Sequence, residues 1–357
     1  MKILIIGFAK IKYMPYLDLY LDNIDRVKND VHLIYWNRDL KEESLEKLEG
    51  ITLHEFASYQ EDDVAKFSKL ENFKKFREYA VSVLKEDFDF VIVLHSLPGV
   101  LLSKELVSSY KNRYIFDYRD FTYENFLPYK SVIHTLVNNS YKTFVSSDAF
   151  RAFLPDNKKI HTSHNALCCE LEKDIDIPKN LSEKIRIGFW GFIREEKTNL
   201  EIIEKLANDE RFELHYYGRE QGVCEALKEA VADNVSNVYF HGEYTPNERI
   251  DFVKNTDLIH NIYGGSNMNL AVSNKYYDGL IFGVPQLVMK NSYMGVLVNN
   301  NGIGKAVNPK DKSFADEVYE YYKSIDQKKF KNNCRAALEK IKTQQKAMTD
   351  LIINISK

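Results

Sequence analysis

The alternation of short apolar runs with longer amphipathic stretches constrains this chain more than any other feature. Apolar runs occupy residues 2–6, 31–36, 90–94, 114–116 and 143–145, and residues 51–56 and 159–162 extend the series. Between them lie segments of helical period at 15–27, 64–84, 100–110 and 131–139. The 64–84 segment sets Val64, Phe67, Leu70, Phe73, Phe76, Ala80 and Leu84 on one stripe. The run Phe90-Val-Ile-Val-Leu94 has no polar side chain, the pattern of a strand buried on both faces of a parallel sheet. Strands alternating with helices imply parallel sheets with right-handed crossovers.

The alternation stops once. Residues 170–184 include Lys173, Asp174, Asp176, Pro178 and Lys179, a polar linker composition. It then restarts, with strands expected at 185–190, 212–217, 238–240, 258–262 and 286–288. Helices are expected at 199–207, 223–231, 247–254 and 274–282, with a helical end over 313–355. The expected fold class is therefore α/β, with two Rossmann-like doubly wound domains at 1–169 and 185–326. A length of 357 residues fits two such domains. Facing each other, they would bring the carboxyl ends of both sheets to one cleft, where ligands of open α/β sheets bind.

Composition narrows the partners. Apolar residues at 44% and aromatics at 13% exclude disorder as the main state. A net charge of −3 supplies no global positive field, so no nucleic-acid partner is expected. The apolar runs fall far short of the ~20 residues that span a bilayer. Lys2, Gly7, Lys10 and Lys12 around a four-residue apolar run do not make a secretory leader, so a cytoplasmic location is expected. Cys168, Cys169, Cys224 and Cys334 lack metal-ligand spacing and read as small buried thiols. No metal is expected.

The sequence lacks G-x-G-x-x-G after its first strand, and it has no G-x-x-x-x-G-K-[ST] and no G-x-S-x-G. These absences count against dinucleotide, P-loop and hydrolase chemistry. Two segments of the second half carry better signals. Ile185-Arg-Ile-Gly-Phe-Trp-Gly-Phe-Ile-Arg-Glu-Glu-Lys197 is a buried strand entering a glycine turn and then a cationic loop. Gly188 and Gly191 permit close backbone approach, and Arg194 and Lys197 can bind phosphate oxygens. The alternative is a solvated turn in which Glu195 and Glu196 pair with those cations. The second segment begins at Gly264-Gly-Ser266 and continues through Ser273-Asn274-Lys275 to Pro285. With Ser273 or Asn274 as N-cap, the helix start presents its positive end to an anion. Asp278 lies about one turn further and can accept bonds from a ribose diol. An ordinary capped helix with a surface aspartate is the alternative.

Together these segments resemble the donor half of GT-B glycosyltransferases, the retaining family 4 type that includes capsule, exopolysaccharide and lipopolysaccharide enzymes. Gly191-Phe-Ile-Arg-Glu-Glu-Lys197 is similar to the family's phosphate loop. Asn274-Lys-Tyr-Tyr-Asp-Gly-Leu-Ile-Phe-Gly-Val-Pro285 is similar to its diphosphate and ribose helix. Val238-Tyr-Phe-His-Gly-Glu-Tyr244 resembles the base-binding strand, Tyr217-Gly218 the glycine after the preceding strand, and His164-Asn165-Ala166 the interdomain hinge. The resemblance implies donor contacts at Gly191, Tyr217, Gly218, Gly242, Glu243, Tyr244, Ser273, Asn274, Lys275 and Asp278. It implies catalytic roles for Arg194 and Lys197, and in the first domain for His95 and Asp120 near the sugar and acceptor. It also implies that the last helix, 327–357, crosses back to the first domain. Two departures stand out: Phe192 replaces the arginine that often follows the loop glycine, and Leu270 replaces the first of two family acids.

A structural His95 and an internal ion pair of Arg119 with Asp117 or Asp120 are the competing readings in the first half. The cations Lys66, Lys69, Lys74, Lys75 and Arg77 read either as a solvated face or as weak peripheral contact with the inner face of an anionic membrane. The expected activity is transfer of a sugar from a UDP- or GDP-sugar to a glycan or lipid-linked acceptor in surface polysaccharide synthesis. It would retain configuration, and the donor would be a substrate with no cofactor and no metal. An inactive nucleotide-sugar-binding partner subunit and a nucleotide-sugar epimerase of the same fold are the other readings.

Overall fold

The computed structural model describes residues 1–43, 48–60, 69–166, 171, 178–218, 222–231, 235–245, 248–265 and 269–355. It divides into two compact units, Met1–Leu167 with Thr343–Lys357, and Cys168–Lys342.

The first unit is built on seven parallel strands: β1 (Lys2–Ile6), β2 (Asp30–Asn37), β3 (Ile51–Ala57), β4 (Phe90–Leu94), β5 (Tyr114–Tyr118), β6 (Lys142–Val145) and β7 (Ile160–Thr162). Their order is β3-β2-β1-β4-β5-β6-β7. The helices are α1 (Asp18–Leu21), α2 (Leu70–Leu84), α3 (Ser96–Leu101), α4 (Ser103–Ser109) and α5 (Leu127–Asn139). Every residue of β4 and β5 is buried, as helices covering both faces of a parallel sheet require. Phe73 and Phe76 of α2 meet Phe8, Trp36 and Phe56 in an aromatic cluster, with Phe8 and Phe76 edge to face at 4.7 Å.

The second unit carries β8 (Ile185–Trp190), β9 (Phe212–Tyr217), β10 (Val238–Phe240), β11 (Leu258–Asn261), β12 (Gln286–Met289) and β13 (Gly304–Val307) in the order β10-β9-β8-β11-β12-β13, again all parallel. Its helices are α6 (Glu196–Leu206), α7 (Gly222–Val231), α8 (Arg249–Lys254), α9 (Asn274–Ile281), α10 (Tyr293–Asn301) and α11 (Phe314–Lys323). The last helix, α12 (Gln327–Ile355), begins in the second unit and ends in the first. There Met348 and Ile352 join the β1–β2–β4 core at 1% exposure each.

Several expectations shift. The 15–27 segment forms one 3₁₀ turn (Pro15–Leu17) and the short α1, and its buried Leu17 and Tyr20 pack into the core under β1, β2 and β4. The helix expected at 100–110 is split at Leu102 into α3 and α4. Leu70, placed on the apolar stripe, is 56% exposed, while Phe73, Phe76, Ala80 and Leu84 are buried. Val64, Lys66, Phe67, Cys168, Cys169 and Ser266 lie outside the described residues. On α2, Lys75 pairs with Glu71, Lys74 with Glu78 and Arg77 with Glu105. Part of the stretch read as linker is fastened to the second unit: Lys179 Nζ donates to the carbonyls of Val253 and Thr256, and Asn180 N to that of Lys254. No described helix is long and apolar enough to cross a membrane.

Candidate donor-binding site

In each sheet the strand order reverses once, between β1 and β4 and between β8 and β11. Crevices at such switch points, beyond the strand carboxyl ends, are where open α/β sheets take ligands. In the second unit the loops after β8 and β11 flank that point; these loops and the helices they enter carry Gly191, Arg194, Lys197, Ser273, Asn274, Lys275 and Asp278.

The loop after β8 opens with Gly191 at φ +111°. Its N–H donates to Tyr217 O at 3.0 Å, and Gly218 N–H donates to Gly242 O at 2.7 Å. Gly218 has φ +147°, and a Cβ there would lie 1.8 Å from Gly191 O. Gly191, Gly218 and Gly242 thus form one line of close backbone contacts across the carboxyl ends of β8, β9 and β10. At Gly218 only glycine permits that approach. The space above Gly191 is open: a Cβ added there would meet no atom within 4 Å.

The chain then climbs to α6 through Glu195, a left-handed residue at φ 65°. Its carboxylate accepts from the N–H groups of Gly264 and Gly265, joining the two flanking loops. Glu195 thus turns to the neighbouring loop and makes no ion pair with Arg194 or Lys197. Arg194 lies over the Phe192 ring at 5.0 Å, and among the described residues neither Arg194 nor Lys197 pairs with a carboxylate. Both are exposed at the start of α6, whose N-terminus adds a further positive end.

On the other side, α9 starts at Asn274. Ser273 does not cap it through its side chain; its hydroxyl donates to Asn261 Oδ1 at 2.6 Å. Asn274 is exposed, but Lys275 is only 6% exposed. The Lys275 ammonium donates to Trp190 O at 3.1 Å and to the Tyr263 hydroxyl, and it sits 4.0 Å from the Phe189 ring centroid. An ammonium has three donors, and these protein acceptors use two. A fixed positive charge is thus placed at the last residue of β8, directly before the glycine turn. Beneath it, burial and then the Lys275 charge push the His260 imidazole down to about 3. His260 is therefore neutral, with Nδ1 accepting from Ile262 N–H and Nε2 donating to Asn199 Oδ1.

Asp278 is buried at 5% exposure, not on the surface. It accepts from Trp190 Nε1 at 2.7 Å and from Arg249 at 3.2 Å. Tyr244 is close to this group: burial first, and then the Asp278 charge, raise its phenol. Tyr217 stacks between His241 at 4.2 Å and Phe252 at 4.3 Å. Glu243 is exposed beside Gly242. Sequence reasoning missed Arg249, Trp190 and Tyr263. Tyr263, the second residue after β11, offered the clearest signal, since residues that follow a strand at a switch point face the crevice.

In the first unit, His95 follows β4 at that sheet's own switch point. It has a strained φ of 89°, and Nε2 lies 2.7 Å from Asp120 Oδ2 while Nδ1 is buried without a partner. Arg119 does not pair with Asp120. It forks onto buried Asp117, with Nε to Oδ1 at 2.8 Å, and reaches Ser163 and Asn165 beyond β7. His95 with Asp120, and Arg119 with Asp117, are therefore separate pairs.

No family model and no curated protein matches the sequence. Solved structures do match. Sucrose-phosphate synthase from Thermosynechococcus elongatus superposes with a TM-score of 0.70 over 98% of this chain and 96% of its own, at 12% identity. A glycosyltransferase from Rickettsia africae gives 0.67 over 100% and 98%, at 15% identity. Anabaena HepE, solved with UDP-glucose, gives 0.68 over 98% and 99%, at 14% identity. The chain has the GT-B fold. These GT-B neighbours span the whole chain, so the likeness is not confined to one Rossmann-like unit.

Proposed function

We propose that this protein transfers a glycosyl group from a nucleoside-diphosphate sugar to a hydroxyl of a glycan or lipid-linked glycan. One observation carries the reading. The buried Lys275 ammonium, with a donor to spare, sits at the end of β8 beside a glycine turn that leads to the exposed cations Arg194 and Lys197. Binding of UDP-glucose and UDP by HepE agrees with it.

The chemistry needs charge stabilisation on a departing diphosphate. As the bond from the anomeric carbon to the phosphate oxygen breaks, negative charge grows on the diphosphate and positive charge on the sugar. Donors already fixed in a site of low dielectric stabilise that change without reorganising. Lys275 supplies such a donor on this chain, and Arg194, Lys197 and the N-terminal turns of α6 and α9 add positive charge from the exposed side, so the reading calls for no metal and no further cofactor. Gly191, Gly218 and Gly242 let the phosphates approach backbone. Tyr217, Gly242, Glu243 and Tyr244 take the nucleoside, and Ser273 and Asn274 complete the diphosphate end. Asp278 acts through Trp190 and Arg249, or turns one oxygen to the ribose. For a retaining reaction the acceptor oxygen bonds to the anomeric carbon on the face the diphosphate leaves, and its proton passes to the leaving phosphate oxygen. His95, oriented by Asp120, is assigned to the acceptor sugar. Surface polysaccharide synthesis in the cytoplasm, with weak peripheral contact at the membrane, is the setting that suits such acceptors.

A specific observation favours keeping a second reading. Phe192 stands where the family's loop arginine often lies and Leu270 where the first of its two acids lies, which suits a partner subunit that binds nucleotide sugar without turnover. A thermal-shift panel of UDP, GDP, CDP and their sugars, with stereochemical analysis of released sugar, separates the readings. A shift abolished by Lys197→Ala, with turnover, supports the transferase. Binding without turnover on a broad acceptor panel supports the partner subunit, and altered sugar without release of diphosphate supports an epimerase. No shift with any nucleotide overturns all three.

A further inference from the structure

On the first unit, away from the strand carboxyl ends, lies a cluster that donor chemistry does not use. β2 and β3 pair in parallel with His32 opposite Thr52 and Ile34 opposite His54. The two histidines therefore point to the same face of the sheet, one step apart on the diagonal. His32 Nδ1 and His54 Nε2 are 2.8 Å apart, with ring planes 19° from parallel. Glu86, just after α2, brings a carboxylate oxygen into the same space, and the three ligand atoms all lie within 4.8 Å of one another.

Two neutral imidazoles that converge nitrogen on nitrogen hold a single proton between them. A metal ion is the other species that such a convergence accepts. The far side of His32 is arranged for that role. Its side chain is 7% exposed, and Nε2 is buried 3.1 Å from Asp30 Oδ2 in ion-pair contact without a hydrogen bond. A carboxylate that accepts the second ring N–H of a ligating imidazole fixes its tautomer and raises its basicity, and a small turn of the His32 ring onto an ion brings Asp30 into that role. The Phe88 ring edge, 5.0 Å from His32, closes the apolar side. Lys2 Nζ holds Glu86 Oε2 at 3.1 Å, which leaves Oε1 available.

We propose that His32 Nδ1, His54 Nε2 and Glu86 form a binding site for a divalent transition-metal ion of the Zn²⁺ class, with Asp30 as the positioning carboxylate. Two nitrogens and one oxygen are a donor set that zinc takes, with water in the fourth position. On a tetrahedral ion the two nitrogens stand ~3.3 Å apart for bonds near 2.0–2.1 Å. The rings need only a small separation, and Glu86, at the exposed end of a helix, swings in. An ion here clasps β2, β3 and the end of α2 together. The site rests on none of the donor-binding residues.

The test uses the full chain after chelator treatment and dialysis. Calorimetric titration with Zn²⁺ is expected to show one equivalent bound. The thermal midpoint is expected to rise by roughly 5 °C at a hundredfold excess over Kd. Co²⁺ is expected to give the intense visible absorption of a tetrahedral site. Glu86→Gln, at an exposed position that folding tolerates, and His54→Ala each weaken binding by more than roughly tenfold, and Asp30→Asn by about tenfold. Absence of saturable binding at one equivalent overturns the proposal. So does binding whose affinity and Co²⁺ spectrum are unchanged in Glu86→Gln and His54→Ala.

Discussion

Replacing Lys275 by methionine separates ligand binding from folding in one substitution. The side chain stays unbranched, one heavy atom shorter, and loses its charge. In the folded chain the ammonium is 6% exposed and meets Trp190 O, the Tyr263 hydroxyl and the faces of Phe189 and Tyr263. No carboxylate pairs with it among the described residues. Removing the charge leaves two oxygens without this donor, a cost of about 1–3 kcal/mol each. It also removes the desolvation penalty of a buried ion, which is several kcal/mol before compensation. These terms oppose each other, so stability of the unliganded chain is expected to change by no more than about 2 kcal/mol. Ligand binding has no such compensation. A charge-assisted hydrogen bond to phosphate contributes about 1.5–3 kcal/mol, so the dissociation constant of the best nucleoside diphosphate rises roughly 10- to 150-fold. Calorimetric titration on folded Lys275→Met, with thermal melts without ligand, reads both quantities. An unchanged dissociation constant in a folded variant refutes the role given to this lysine.

Three further outcomes follow from the geometry. Gly218→Ala places a Cβ 1.8 Å from Gly191 O at a φ of +147°, so denaturant melts are expected to show a loss on the order of 3–5 kcal/mol, with nucleotide binding lost as well; a wild-type midpoint contradicts the glycine line. His260 is held down to about 3, against about 6.5 unfolded. Between those values the unfolded chain binds the extra proton, so this group's stabilisation is full above the unfolded pKa and is lost as pH falls towards 3. About 2 kcal/mol of it is gone at pH 5. Carbon-13 spectra of labelled histidine should show this ring neutral at pH 5, and His260→Asn should flatten the pH dependence of unfolding; an imidazolium signal at pH 5 contradicts it. Phe76→Ala, at 0% exposure within the aromatic cluster, is expected to cost about 3–5 kcal/mol in denaturant melts without altering nucleotide affinity; an unchanged midpoint contradicts that packing.

The fold was legible where burial on both faces writes an unbroken apolar run, as in Ile3–Ile6 of β1 and in β4. It was illegible where an edge strand is half covered. β13, Gly-Lys-Ala-Val with one buried residue, carries no such run and was not expected. Helix α10 was not expected either: its last turn, Asn299-Asn-Asn301, has low helix propensity, and a left-handed Gly302 ends it. At the site, local spacing pointed to the Gly191 turn and the start of α9, because a glycine after a strand and a polar residue before a helix are local signals. Spacing does not report depth. Lys275 was expected as a donor contact at the helix start, and Asp278 as a ribose contact or else a surface acid; spacing said nothing of their burial, which comes from partners remote in sequence. Trp190 reaches Asp278 across 88 positions and Arg249 across 29. Glu195 was weighed as a partner for Arg194 and Lys197, whereas its carboxylate spans to Gly264 and Gly265. Such pairings depend on which loops the strand order brings together, and the β8–β11 adjacency is set by the whole sheet.

A crystal structure of the chain with a nucleoside diphosphate bound tests the central claim most directly. The account predicts the diphosphate against the open face of Gly191, within hydrogen-bond distance of Lys275 Nζ and at least one of Arg194 and Lys197. A diphosphate bound away from the loops after β8 and β11, or a Lys275 ammonium that stays turned from it, contradicts the account.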